Sequence, residues 1–264
     1  MTLDLHTLRI EPVDRWAEAS ADLFAQGILA AIEQRGRCLM ALSGGMTPRP
    51  VLAALAKRDL PWDRVVLFQA DELLVPIDSE VRNLPAQKEA LAHLPVTWVP
   101  MPVDELLIPE ILDAPEEKRV RSCVEQLDVL ERRRQPSKES GPVDAAIKKF
   151  SCRLVELTDD PPVLDIVQLG LGVGGHTASL LPGDPSVNEL RQYVAITGRY
   201  KGHRRLTLTR PVLDRAKLTI WLVRGANKRV SLNRVLAGDL SIPAGLIRPR
   251  QSVVIADEDA AVQA

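Results

Sequence analysis

Apolar positions along the chain follow two alternating rhythms. Trp16, Leu23, Phe24, Ile28 and Ile32 recur near helical spacing and predict a helix over 14–34, closed by Arg35 and Gly36. The unbroken apolar run at 38–42 reads as a buried strand. After a glycine pair come a helix at 51–58, a strand at 65–68, a helix at 83–94 and a weak strand at 97–99. Ile147, Phe150, Leu154 and Leu157 share one face of a helix over 144–157. Strands follow at 165–169, 193–197, 206–209 and 218–223, then a helix at 227–236 and a last strand at 252–256. Strands alternating with helices predict an α/β chain with a mostly parallel sheet covered by helices on both faces. Such sheets bind ligands at the carboxyl ends of their strands, so chemistry is expected in the loops that follow strands.

One segment breaks the rhythm. Residues 113–139 are dense in charge, with Glu116-Glu117-Lys118-Arg119 and Arg132-Arg133-Arg134, and Pro136, Gly141 and Pro142 punctuate the end. Val120, Val124, Leu127 and Leu130 still fall three or four apart, which predicts an exposed amphipathic helix and a linker, a charged insertion at about 113–143 in a single domain spanning 1–264. Lys and Arg number 34 against 35 Asp and Glu, a net charge of −1, so no general positive field for nucleic acid is present. No uncharged apolar run approaches the ~18 residues of a membrane span. The acidic start, MTLDLHTLRIEPVDRW, does not read as a secretory signal, and the expected location is the cytoplasm. Cys38, Cys123 and Cys152 lie far apart without a C-x-x-C, and His6, His93, His176 and His203 lack metal-ligand spacing, so neither a disulfide framework nor a metal is expected. Nothing in the sequence sets an oligomeric state.

Four loops carry candidate chemistry. In Ser43-Gly44-Gly45-Met46-Thr47-Pro48, adjacent glycines let backbone N–H groups approach a ligand. Thr47 is expected as N-cap and Pro48 as first residue of the helix whose N-terminus attracts an anion. The turn is neither a Walker A loop nor G-x-G-x-x-G, and it also fits an ordinary strand-to-helix connection. In the run 165–183, glycines after a strand deliver His176, an imidazole suited to general acid–base work at neutral pH. Asp71-Glu72 at a strand end could orient a base, bind sugar hydroxyls, or form a helix cap or ion pair. Arg205, opening one strand, and Lys228, following another in Gly225-Ala226-Asn227-Lys228, would complete a monophosphate pocket with the glycine turn.

Together these segments resemble the 6-phosphogluconolactonase family over nearly the whole chain. The matching pieces are SGGMTPRP at 43–50, DELLVP at 71–76 with Asn83 beyond, LDIVQLGLGVGGHTASLLPG at 164–183, RLTLTRPVLDRAK at 205–217, GANK at 225–228 and PAGLIRP at 243–249. The resemblance implies a three-layer, Rossmann-like α/β fold shared with glucosamine-6-phosphate deaminases. It also implies hydrolysis of 6-phosphoglucono-δ-lactone to 6-phosphogluconate, a step of the oxidative pentose phosphate pathway, without metal or cofactor. Carried over, His176 is the base that activates water, Ser43, Gly44, Gly45 and Thr47 form the phosphate turn, and Arg205 and Lys228 neutralise the phosphate. Asp71, Glu72 and Asn83 organise the sugar end. The partner implied is a small sugar phosphate. Two positions depart from the pattern. Gly174 stands where the family usually carries an aspartate two before the histidine, and Leu73 where it usually carries an arginine after Asp-Glu. Arg82 is a candidate for the space of that arginine. The departures leave open a sugar-phosphate-binding homologue with weak or lost catalysis. An amino-sugar phosphate deaminase or isomerase is less consistent with Thr177-Ala178-Ser179-Leu180-Leu181-Pro182 after the histidine.

Overall fold

In the computed structural model, residues 6–91, 93–107 and 142–261 are described. The charged segment 113–139 lies outside them, and residues 142 and 143, at its expected end, belong instead to the helix Pro142–Leu157. Seven parallel strands form the central sheet: β1 (Thr7–Glu11), β2 (Cys38–Leu42), β3 (Val65–Gln69), β5 (Thr97–Val99), β6 (Ile166–Gly170), β9 (Leu218–Val223) and β10 (Ser252–Asp257). Their spatial order is β1-β10-β9-β6-β2-β3-β5. The chain therefore winds outward from β2 in one direction and from β6 in the other. The carboxyl ends of these two neighbours flank the switch point, where an open α/β sheet forms its crevice.

Side chains that alternate along each strand divide the core in two. From β2, Cys38, Met40 and Leu42 join α1 (Trp16–Arg35) and α2 (Pro48–Leu55) through Trp16, Phe24, Ile28, Val51 and Leu55. Leu39 and Ala41 face the other way, toward Phe150 and Leu154 of α4 (Pro142–Leu157) and Leu232 and Val235 of α6 (Arg229–Leu236). Strands apolar on both faces are what a doubly covered parallel sheet requires. The expected three-layer class is the one observed.

The sequence reading missed a second sheet. β4 (Asp71–Leu73), β8 (Arg205–Leu208) and β7 (Val194–Ile196) form an antiparallel sheet in the order β4-β8-β7. β4 pairs Asp71 with Thr207 and Leu73 with Arg205. Three residues, two of them acidic, carry no period that a sequence can display. The edge strand β1, an alternation of only five residues, and the short helix α5 (Arg210–Asp214) escaped because each is too short to stand out. α3 (Asn83–Leu91) starts where expected, and a short C-terminal helix, α7, spans Glu258–Ala261. Among the described residues, no helix is long and apolar enough to cross a membrane.

Buried polar groups close the sheet beside β1. Ser252 Oγ accepts from Trp221 Nε1 at 3.0 Å and bonds His6 Nδ1. Burial first, and then the Arg248 charge, lower the His6 pKa to about 4. The folded protein thus resists a proton that the unfolded chain accepts near pH 6.5. This contribution to stability is complete above that pH and is lost as pH falls toward 4. Its size is about 3 kcal/mol, because a tenfold difference in proton affinity between the two states is worth ~1.36 kcal/mol. Melting temperature should therefore fall steeply between pH 6.5 and 4, and His6→Phe should flatten that dependence in calorimetry.

Candidate active site

Ser43, Gly44 and Gly45 leave β2 at the switch point. The Ser43 N–H donates to Gln168 Oε1 of β6 at 3.0 Å, a buried contact that ties the turn to the neighbouring strand. Gly44 is needed for close approach: a Cβ there would come within 1.7 Å of Asn83 Oδ1. Pro48 opens α2 as expected, but the Thr47 hydroxyl does not cap it. Side-chain N-capping uses an extended backbone, whereas Thr47 is already helical, with φ −61° and ψ −44°. A cavity of about 330 Å³ opens against the turn, with Gly44, Gly45, Arg49 and Asn83 among its walls.

The two acids have different surroundings. Glu72 has no exposed surface. Its Oε1 accepts from Leu73 N and Asn83 N, and its Oε2 accepts from Leu84 N and Gln69 Nε2, all within 2.8 Å. It is an anion at the N-terminus of α3, where peptide N–H groups and the helix dipole favour negative charge. Among the roles left open, Glu72 therefore takes the helix-capping one. Asp71 Oδ2 accepts from Ser179 Oγ at 2.6 Å, and the Asp71 carbonyl accepts from Asn83 Nδ2 at 2.9 Å. Burial raises the Asp71 pKa, opposed by the Ser179 bond and the Arg205 charge. Arg82 lines the cavity beside Asn83 and is engaged in ion pairs. Its Nη1 donates to Asp104 Oδ1 at 2.8 Å and its Nε lies 3.8 Å from Glu72 Oε2.

His176, Arg205 and Lys228 gather in a second cluster, outside the cavity wall. The imidazole rests on Gly172, where a Cβ would come within 2.0 Å of the ring. Burial, then the positive charges of Lys228, Arg205 and Lys201, lower its pKa. Lys228 is itself shifted down by burial and by Lys201. Asp257, fully buried at the end of β10, accepts from Gly225 N at 2.9 Å and steadies the turn that carries Lys228. The two clusters meet at β4 and the histidine loop: Asp71 holds Ser179, three residues after His176, while Leu73 pairs across from Arg205.

The sequence reading missed Tyr200, Lys201, Ser179 and Gln168. Only the Lys201-Gly202 pair carried a visible signal, a two-residue hairpin turn. Leu73 is buried and apolar, and a side chain at Gly174 would meet open space. Among the described residues, no group of three or more His, Cys, Asp or Glu side chains converges as a metal site.

These contacts separate two glycines. Gly44→Ala must displace Asn83 and break its bond to Asp71, so a loss of about 1–3 kcal/mol is expected. Gly174→Ala should melt within about 0.5 kcal/mol of the parent. Denaturant titration of both variants checks the contrast.

A family model described as glucosamine-6-phosphate isomerases/6-phosphogluconolactonase matches residues 12–256. A 6-phosphogluconolactonase of Nostoc is 32% identical over 237 residues, covering 88% of this chain and 86% of the relative. The crystal structure of a 6-phosphogluconolactonase from Thermotoga maritima superposes with a TM-score of 0.74 at 22% identity, over 96% of this chain and all of that one. A monomeric glucosamine-6-phosphate deaminase superposes at 0.70 with 14% identity, over 97% and 98% of the two chains, so the fold by itself is common to both chemistries. With the glycine turn, the histidine loop and the basic pair in place on this fold, the chain belongs to the glucosamine-6-phosphate isomerase/6-phosphogluconolactonase family.

Proposed function

We propose that the protein hydrolyses 6-phosphoglucono-δ-lactone to 6-phosphogluconate in the cytoplasm, with a small sugar phosphate as its partner. The observation that carries the reading is the state of His176. It is half-buried, its pKa is lowered, and the charges acting on it are all positive. Such an imidazole is neutral at neutral pH and can accept a proton, while the cations around it attract an anionic substrate. The similarity to named lactonases supports the same assignment.

In this reading, Arg205 and Lys228 hold the phosphate, together with the N–H groups of the 43–45 turn. His176 takes a proton from water as the water oxygen attacks the lactone carbonyl. The tetrahedral oxyanion collapses, the ring C–O bond breaks, and the ring oxygen leaves as a hydroxyl after receiving the proton from the imidazolium. The new carboxylic acid loses its proton to solvent, so one water is consumed and the histidine is regenerated. Asp71 and Ser179 brace the histidine loop, and Glu72 and Asn83 brace the glycine turn. A second reading, a sugar-phosphate-binding homologue, is favoured by the open space at Gly174 and the buried Leu73. A lactonase assay on freshly generated lactone decides between them. A parent no faster than spontaneous hydrolysis establishes the binding protein.

His176→Ala should lower kcat by ~10²–10⁴-fold with product affinity much less affected, since Arg205, Lys228 and the 43–45 turn remain to hold the phosphate. For the parent, the rate should hold at neutral pH and fall only below pH ~6.5, because the pKa is lowered and only neutral imidazole accepts the proton. A rate with no acidic limb at any pH where the protein stays folded, or a full-rate alanine variant, would remove His176 from the chemistry.

Lys228→Ala should weaken 6-phosphogluconate binding by ~10-fold or more, the loss expected of one charge-assisted hydrogen bond. Calorimetry measures this directly, and an unchanged affinity would place the phosphate away from the basic pair.

A further inference from the structure

The hairpin joining β7 and β8 reaches the histidine. Tyr200 N donates to His203 O at 2.9 Å and His203 N returns a bond to Tyr200 O at 3.2 Å, leaving two residues at the tip. Those two, Lys201 at φ +50° and Gly202 at φ +84°, share the left-handed conformation of a tight hairpin turn. The turn carries Tyr200 over His176, with ring centroids 5.7 Å apart and planes tilted by 60°, a spacing typical of an interacting ring pair. Two cations bracket the phenol ring, with Lys201 Nζ and Arg205 Cζ each 5.6 Å from its centroid, within reach of a cation–π contact. Beneath, the imidazole lies on Gly172, whose N–H donates to the His176 carbonyl at 2.8 Å.

We propose that the Tyr200–Lys201 hairpin tip is a clamp for the general base: Tyr200 is a positioning residue that holds the His176 ring against the Gly172 backbone. The clamp rests on the lactonase reading for its effect on rate but not for its effect on the ring. Histidine side chains on glycine-rich loops have soft torsions, and no hydrogen bond to a ring nitrogen orients this one among the contacts described. Contact with Gly172 and with the tilted Tyr200 ring is what sets its direction. The ring, rather than the phenol hydroxyl, does this, and the cations over it fix Tyr200 in turn. The charged groups acting on His176 come from three elements: Lys228 from the turn before α6, Arg205 from β8, and Lys201 from the hairpin tip. Removing the Tyr200 ring admits water, and removing the Lys201 charge relieves repulsion. Both changes favour the imidazolium.

The test uses the full chain with substitutions Tyr200→Ala, Tyr200→Phe, Tyr200→Leu and Lys201→Gln, read by steady-state kinetics and by NMR titration of the His176 ring. Tyr200→Ala should lower kcat by about 10- to 100-fold, the penalty of a misplaced catalytic group, with KM little changed. Its His176 titration should move upward toward the ordinary value, and the acidic limb of the pH–rate profile should move with it. Tyr200→Phe should restore both the rate and the titration. Lys201→Gln should raise the titration while leaving the melting temperature near that of the parent, because this side chain is exposed. Should Tyr200→Ala fail to fold, Tyr200→Leu and Lys201→Gln carry the same readouts. An unmoved His176 titration in Tyr200→Ala or its leucine substitute overturns the clamp, as does a Tyr200→Phe variant as slow as the alanine one. If the parent lacks lactonase activity while the titrations move as expected, the clamp stands and the lactonase reading fails.

Discussion

Glu72 holds a carboxylate that water never reaches, at the centre of a three-residue strand. An isolated charge in such a place would cost several kcal/mol. Four N–H donors offset that cost: the amide of Gln69, the backbone of Leu73, and the first two backbone N–H groups of α3. The arrangement works in both directions. The helix needs an anion at its N-terminus, and the anion needs the helix. Asn83 is therefore held in place, its side chain lies against Gly44, and the glycine turn takes its position from a strand that is distant in sequence. Loosening this carboxylate would loosen the turn, α3 and β4 together.

Asp71 extends the same constraint across the crevice. Its bond to Ser179 ties β4 to the histidine loop, and Ser179 N also reaches Thr207 Oγ1 of β8 at 3.3 Å. Loops leaving β2, β3 and β6 thus converge on one small antiparallel sheet that sits over the switch point. The electrostatics follow from what is left over. Glu72 is held by N–H groups with the buried Arg82 guanidinium beside it, and Asp71 is drawn toward its protonated form by burial. The cations of Arg205, Lys228 and Lys201 then dominate the field at His176. A positive field attracts a phosphate and keeps the imidazole unprotonated, so a single charge distribution serves binding and base catalysis.

The sequence alone determined the central sheet apart from its edge strand β1, and the longer helices that cover it. Runs such as Cys38-Leu39-Met40-Ala41-Leu42 are apolar on both faces, and the amphipathic period of 144–157 has one physical solution, a helix lying on a sheet. It also marked the chemistry-bearing loops, because glycine pairs at strand ends and a lone histidine among glycines are local signals. The similarity to a known family set the reaction class. Tertiary structure decided which side chains face the ligand. From sequence, Asp71 and Glu72 are two equivalent acids and Thr47 is a natural cap. In the fold, Glu72 is spent on a helix terminus and Thr47 is itself helical. Tyr200 and Lys201 carried little sequence signal, since an aromatic and a lysine near a turn are common. Their meaning arises only when a two-residue hairpin brings them over His176, some twenty-four residues away. Periodicity reports burial, which is a property of each segment. The orientation of a catalytic group depends on contacts between segments, and no local pattern encodes those.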